Sequence, residues 1–446
     1  MIDRIVELVK KHDEISPDII RERNVKLGLR NADGTGVVAG ITGKGSVIGY
    51  NKVPVDREKG KFDIQPCDGR LYYCGYDVAK MVKEYELKNR FGYEEVAYLL
   101  LTGVLPTAGE LDEFREELAR RRGLTRAERN VIMESAENDN QMYALHTGIS
   151  HLSRCDRDPD SIDISDVTGQ CLNLIAKFPT IVASNYSVSR FMKGSDLKLV
   201  RPRADLGTAE NFLYMFTGSE PDRYEARIFD MALVLHAEHG GGNNSTFAVR
   251  VVSSSGANTY MAIAAGIASL SGHLHGGANE SVNLMMKDLK KRVKDWSSEK
   301  KVRNYLTTLL EKKAGNKSGK IYGFGHAVYT LSDPRAIILK KHAEDLAKMK
   351  GPYEEFLLYD KVEKIAVELL AERTGKTVSA NVDFYSGFVY EMLGIPRALY
   401  TPIFAMARVA GWAAHRLEQL VQNRIMRPAY INPFLEEKPY PKLENR

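Results

Sequence analysis

Most of the chain carries apolar residues at the spacing of a helix with one buried face. Ile2, Ile5, Val6 and Val9 share a face, so the first 25 or so residues read as one charged amphipathic helix. From Gly28 to Asp68 the texture changes. Glycines are frequent, and short alternating pieces such as Gly36-Val-Val-Ala-Gly-Ile-Thr predict small strands or a hairpin. From Asp68 onward helices dominate, over 91–101, 107–122, 125–137, 142–153, 165–187, 208–214 and 223–239, often separated by Gly or Pro. Thr259 to Leu270 is a helix of Ala, Gly and Ser, suited to close helix packing, and Gly272 stops it. Further helices are expected at 298–313, 334–350, 353–374, 384–393 and 402–422. Asp333-Pro334 is a helix start, with Asp as N-cap and Pro at the first helical position. The pattern predicts an all-α protein with short β segments near the N-terminus. A lysine-richer stretch, about Gly276 to Gly387, lies between more apolar parts and suggests an inserted unit.

Length and charge narrow the classes. At 446 residues the chain is long enough for two or three compact parts. Its net charge of +5 is spread among alternating basic and acidic residues, which argues against a nucleic-acid stripe and suits small polyanionic substrates. The four cysteines form no C-x-x-C pair, so neither a disulfide framework nor a zinc site is expected, and a reducing, cytoplasmic setting is. The first 26 residues lack the apolar core of a signal peptide. The longest apolar runs are too short and Gly/Ala-rich to span a bilayer, so no membrane association is expected.

Four segments concentrate titratable residues beside glycines. They are Leu235-His236-Ala-Glu-His239-Gly-Gly-Gly-Asn243-Asn244-Ser245, Gly272-His-Leu-His275-Gly-Gly-Ala-Asn279, Tyr322-Gly-Phe-Gly-His326 running on to Asp333-Pro-Arg335, and Asn381-Val-Asp383-Phe. Glycines there let a backbone approach a ligand closely. Taken singly, each histidine reads better as a hydrogen-bonded core residue, and Asp383 as a helix N-cap. His236 and His239, three apart on the expected helix, are at most half a metal site, with no third ligand at the right spacing. No metal is expected.

Together, and in this order, the four segments resemble the citrate synthase family, which includes 2-methylcitrate synthase. The likeness begins near Gly69-Arg-Leu-Tyr-Tyr-Cys-Gly-Tyr-Asp77, continues through Glu94-Glu-Val-Ala-Tyr, Leu105-Pro-Thr and Ala176-Lys-Phe-Pro-Thr180, and ends at Arg427. It implies two helical domains, a large one from 1–275 with 388–446 and a small one from 276–387 inserted into it, closing over a cleft. It implies condensation of acetyl-CoA with oxaloacetate and water to give citrate and free CoA.

By that resemblance Asp383 removes a proton from the acyl methyl group. His275 acts as a neutral hydrogen-bond donor to the thioester oxygen, and His326 protonates the oxo group of oxaloacetate. Arg335, Arg408 and Arg427 resemble the arginines that grip the dicarboxylate, Arg427 being supplied by the partner in a homodimer. His239 and Asn243 resemble the remaining oxaloacetate contacts. The coenzyme is expected over Gly323, Phe324 and Gly325, beside Asn381. Lys312, Lys313, Lys317 and Lys320 are candidates for its phosphates, although a solvated lysine-rich loop explains each lysine as well.

Two positions depart from the mitochondrial-type pattern. Thr330 stands where that type has an arginine associated with CoA, and His273 replaces a proline. The stretch Val-Tyr-Thr-Leu-Ser-Asp-Pro-Arg335 looks closer to bacterial forms, some of which accept propionyl-CoA. Acetyl-CoA is the expected co-substrate. A propionyl-CoA-using 2-methylcitrate synthase and a non-catalytic scaffold of the same fold are the alternatives. A citrate-cleaving lyase would need a nucleotide-binding loop, and no P-loop pattern occurs.

Overall fold

The computed structural model describes residues 1–446 except 13–15, 32, 57–60, 137–139, 423, 433–438 and 446. Among the described residues there are 18 α-helices and one three-stranded sheet. Residues 42–424 form one compact unit; residues 1–41 with 425–446 form another.

In the terminal unit the single N-terminal helix expected from the pattern is two helices, Ile2–His12 and Pro17–Glu22. Ser16 and Pro17 explain the second start: the Ser16 hydroxyl accepts the Asp18 N–H, and proline has no N–H to lose at the first helical position. The expected strand at Gly36–Thr42 is absent; only an isolated bridge joins Arg30 to Gly36.

The sheet belongs to the larger unit and starts later than the pattern suggested. Strand β1 (Gly45–Asp56) pairs antiparallel with β2 (Lys61–Tyr73), which turns back into β3 (Tyr76–Asp77). Cys74 (φ 47°) and Gly75 (φ 89°) make the second turn, whose two left-handed residues match the twist of the paired strands. The helical part therefore begins at Val78 rather than at Asp68.

Helix Tyr400–Gln422 runs through the middle of the helical layer. It packs against helices Ile164–Met192, Asn244–Ser254, Tyr93–Thr102, Thr259–Ser271 and Arg223–His236. The small-residue helix does what its composition implied. A Cβ on Gly266 would lie 2.7 Å from Val249 and 3.1 Å from the ring of fully buried Trp412, so glycine sets that approach. Helices Pro334–Lys350 and Tyr353–Thr374 match their expected limits, each stopped by a left-handed glycine, Gly351 and Gly375. Helix Ile164–Met192 runs five residues past its expected end, with Pro179 inside it. Helices Ala278–Arg292 and Pro334–Lys350 both pack on Val382–Met392, and Glu299–Leu310 packs on Tyr353–Thr374. Three helices had no counterpart in the pattern reading: Val78–Leu87, Asn244–Ser254 and Ala278–Arg292.

The hairpin braces a loop rather than forming a core of its own. A Cβ on Gly49 would lie 2.2 Å from the Val328 carbonyl oxygen, and one on Gly69 would lie 2.2 Å from that of Ser332. The Thr330 hydroxyl donates to the Gly49 carbonyl, and the Gly69 N–H donates to Ser332 Oγ at 3.0 Å. The loop so held, 326–333, connects His326 to Arg335. Gly49→Ala is therefore expected to cost about 1–3 kcal/mol, as overpacking does, while Gly36→Ala, with open space around its Cβ position, leaves stability nearly unchanged. Urea unfolding midpoints of the two variants test this.

Candidate active site

The first histidine segment is not all helix. Helix Arg223–His236 stops at His236, three residues short of its expected end. The Tyr73 hydroxyl donates to the Val234 carbonyl at 2.9 Å and meets the Glu238 N–H at 3.3 Å, taking up helix-end groups that a further turn would have used. His236 and His239 thus do not share a helical face, and the half-site geometry considered for a metal does not form. No cluster of three or more metal-ligating side chains occurs among the described residues.

His239 lies in the turn after that helix. Its Nε2 meets the Tyr329 hydroxyl at 3.3 Å, and its ring stands 5.0 Å from that of His326, nearly perpendicular. His326 accepts the backbone N–H groups of Val328 (3.0 Å) and Tyr329 (3.1 Å) at Nδ1. A neutral ring held this way carries its proton on Nε2, the edge able to donate to a substrate. Asn243 is the N-cap residue of helix Asn244–Ser254, and its Oδ1 accepts the Ser245 hydroxyl at 2.9 Å.

His275 sits in the turn between helices Thr259–Ser271 and Ala278–Arg292. Gly276 makes that turn, since a Cβ there would lie 2.2 Å from the Leu270 carbonyl oxygen. One ring nitrogen of His275 accepts the Ser245 N–H at 3.3 Å and lies 3.1 Å from Ser245 Oγ. The proton of the neutral ring is then on the other nitrogen, ready to donate. Burial, and next the charge of Arg408, push the imidazolium pKa down to about 4. The His275 ring is therefore neutral at physiological pH.

Asp383 is the second residue of helix Val382–Met392. The N-cap role allowed for it falls to Asn381, whose Oδ1 accepts the Asp383 N–H at 3.1 Å. Its carboxylate is thereby released from capping. Burial raises its pKa to about 6; Arg335 and Arg408 act against the rise, and Asp333 adds to it.

Two arginines lie deep in this region. Arg335 is clamped by Asp333, through Nε at 3.0 Å and Nη2 at 2.8 Å. Asp333 also caps the Arg335 N–H and accepts the Val382 N–H at 3.2 Å, tying the two helices together. Arg408 is fully buried. Its Nε donates to the His236 carbonyl at 2.6 Å, but Nη1 and Nη2 have no partner, and neither ring nitrogen of buried His236 has one. Leaving a sealed guanidinium unpaired is costly. Two unpaired N–H edges beside the second cation, Arg335, make a receptor for an anion with more than one carboxylate. The charges of Arg335 and Arg408 hold the imidazolium forms of both His236 and His239 well below their usual range, after burial itself.

The glycine loop before His326 is pinned to the Asp383 helix. The Asn381 N–H donates to the Gly323 carbonyl at 2.8 Å, and its Nδ2 donates to the Gly325 carbonyl at 3.0 Å. A Cβ on Gly323 (φ +87°) would lie 2.9 Å from that of Phe384, and the Phe324 ring packs 4.9 Å from the Phe384 ring. Lys312, Lys313, Lys317 and Lys320 are all exposed. Arg427 belongs to the terminal unit.

The site thus gathers His239, His275, His326, Asp383, Arg335 and Arg408, all within the larger unit. Sequence reasoning did not assign Ser245, Tyr329, Glu238 or the second role of Asp333. A signal for Ser245 existed: a hydroxyl two residues after Asn243, at a helix start inside a quoted motif.

Two buried arginines, a buried carboxyl group and three histidines gathered in one helical unit are the side chains of an enzyme site that takes an anionic substrate. The family described as "Citrate synthase, C-terminal domain" matches residues 49–429. The citrate synthase of Haloferax volcanii is 42% identical over 367 residues, covering 81% of this chain and 88% of the relative. The 2-methylcitrate synthase of Shewanella oneidensis is 34% identical over 359 residues, covering 80% and 87%. The crystal structure of citrate synthase from Thermotoga maritima MSB8 superposes with a TM-score of 0.73 at 30% identity, covering 95% of this chain and 99% of that one. The chain belongs to the citrate synthase family, whose members condense an acyl-CoA with oxaloacetate.

The Asp383 shift fixes a pH profile. With Asp383 as the base, which must be ionised, kcat/KM is expected to rise with pH through about 6, with no second limb from His275, already neutral above about 4. A carboxyl with a raised pKa is protonated more readily in the folded chain than in the unfolded one, so it withdraws stability as pH rises through the same range. Asp383→Asn is expected to remove the limb along with turnover, and to raise the thermal midpoint at about pH 8 relative to the parent. Kinetics and melting curves at several pH values check both signs.

Proposed function

We propose that the protein is a citrate synthase whose principal co-substrate is acetyl-CoA. The observation that carries this reading is the buried, unpaired Nη1 and Nη2 of Arg408 beside Arg335, a receptor shaped for a small dicarboxylate. Oxaloacetate binds there between Arg335, Arg408, His239 and Asn243. Asp383 removes a methyl proton from the thioester while the His275 N–H holds the developing enolate oxygen. The new carbon–carbon bond forms as His326 donates its Nε2 proton to the oxo oxygen of oxaloacetate. Water then hydrolyses the citryl thioester and frees CoA. Base and acid come from different segments, as reaction across two opposed substrates requires.

The coenzyme lies over Gly323–Gly325. Asn381 acts by shaping that loop, and Lys320 is among the candidates for phosphate contact. Residues 276–387 act as the small domain whose closure expels water before proton abstraction. A homodimer in which the partner supplies Arg427 completes the oxaloacetate pocket, and the enzyme works in the cytoplasm. Among the described residues no helix is long and apolar enough to cross a membrane.

A second reading, 2-methylcitrate synthesis from propionyl-CoA, is favoured by the likeness to the Shewanella oneidensis enzyme. One methylene is worth about 1–3 kcal/mol in an apolar pocket, so both substrates can be used by one site.

Steady-state thiol release with oxaloacetate and either acyl-CoA tests the reading. Higher kcat/KM with acetyl-CoA is expected. A large propionyl preference gives the second reading, and no release with either sinks both. Asp383→Ala is expected to lose at least about a thousandfold in kcat while binding oxaloacetate nearly as the parent does; near-normal turnover would exclude Asp383 as the base. Lys320→Ala is expected to raise the KM for acyl-CoA several-fold, and an unchanged value removes that lysine from the coenzyme site.

A further inference from the structure

Buried charges that the condensation itself does not use lead away from the substrate pocket. Glu238, between His236 and His239, is fully buried. Its Oε1 accepts the Gly240 N–H and lies 3.0 Å from His415 Nε2. His415, also fully buried, accepts Arg250 Nη1 at Nδ1, 2.9 Å away. An N–H entering Nδ1 leaves the proton of a neutral ring on Nε2, so His415 donates to Glu238. Arg250 in turn pairs with Glu418 at 2.5 Å, and Glu418 accepts the Gly43 N–H at 2.8 Å. Room for the Glu238 carboxylate is made by two glycines. A Cβ on Gly45 would lie 2.6 Å from its Oε1, and one on Gly411 would lie 2.5 Å from its Oε2.

Gly411 lies one turn beyond Arg408 on the same helix, so Oε2 faces the arginine's own helix. That oxygen has no partner, and neither do Nη1 and Nη2 of Arg408. Opposite charges are thus held close in a dry interior without bonding. An attraction of this kind acts on orientation without using the N–H groups that a substrate needs.

We propose that Glu238 is a positioning residue for oxaloacetate: the relay Glu418–Arg250–His415 clamps its carboxylate beside Arg408, which keeps that guanidinium turned toward the substrate pocket. The proposal rests on reading Arg408 as a contact for the oxaloacetate carboxylate. A purely structural role, holding the 237–243 turn, makes a different prediction. It lowers the amount of folded enzyme, and hence apparent kcat, without changing affinity.

The isosteric Glu238→Gln keeps an oxygen to accept from Gly240 and His415, removes the charge and puts a neutral NH2 where Oε2 lay. Calorimetric titration of the full-length parent with oxaloacetate comes first, since failure of the parent to bind overturns the pocket reading itself. With parent binding in place, E238Q is expected to raise the oxaloacetate Kd and KM about tenfold, with kcat at saturation changed less than about twofold. His415→Leu removes one of the two donors to Oε1 and is expected to raise KM in the same direction by a smaller factor, because Gly240 still holds that oxygen. A parent-like Kd in folded E238Q overturns the proposal. Should E238Q fail to fold, a parent-like oxaloacetate KM in H415L does so.

Discussion

A guanidinium sealed from water with two nitrogens unbonded is the constraint around which the larger unit is organised. Arg408 lies on helix Tyr400–Gln422, which packs against at least seven other α-helices, so its charge cannot relax toward solvent. Burial pulls its pKa down to about 10, and the nearby carboxylates, Glu238 first, act against that fall. The group still carries its charge at neutral pH. The fold holds a cation with two nitrogens not hydrogen-bonded, at a cost to stability, and an arriving carboxylate recovers that cost as binding energy. The same charge reaches outward: it helps keep His275 neutral and opposes the rise at Asp383.

Around that cation, residues far apart in the chain are brought together by backbone ties more than by side-chain packing. The N-terminus of helix Val382–Met392 collects most of them. Asp333 bonds to its Val382 N–H, and Asn381 holds the glycine loop before His326. One turn in, Asn279 Nδ2 donates to Ser386 Oγ at 2.6 Å, fastening the His275 turn to the same helix. A Cβ on Gly387 would lie 2.5 Å from Asn279 Oδ1, so glycine is needed where the two segments cross. Asp383, His275 and His326 are thus indexed to one short helix end, so displacement of any one tie moves two of them at once.

These ties also explain what the sequence made legible. The motif residues around His275, His326 and Asp383 stand out because glycines and amides must sit at fixed offsets from each of these side chains. Helices with plain caps were readable to the residue at Pro334–Lys350 and Tyr353–Thr374. Helix Asn244–Ser254 was not: its Ser, Thr and Val residues have low helix propensity, and its stability comes from burial of Ser245, Thr246, Val249 and Ser253. The end of helix Arg223–His236 was missed because Tyr73, more than 160 positions away, donates to the Val234 carbonyl and accepts the Glu238 N–H that would have bonded to it. Glu238 and Ser245 lay inside quoted motifs, yet their roles depend on His415 and His275 across the fold, and spacing along the chain carries no trace of that.

The chemistry depends on where the ionisation of Asp383 balances. Burial makes the carboxylate a stronger base and, by the same desolvation, scarcer at a given pH. The positive charges of Arg335 and Arg408 restore part of the ionised form. The balance near 6 leaves the base mostly ionised at neutral pH yet more basic than a carboxylate in water. A carboxylate for oxaloacetate next to Arg408 would neutralise part of the charge that favours ionisation, and so raise the basicity of Asp383 once the first substrate is seated. In the proposed mechanism the pocket that binds the dicarboxylate thereby also tunes the base, which gives a physical reason for oxaloacetate to bind before proton abstraction begins.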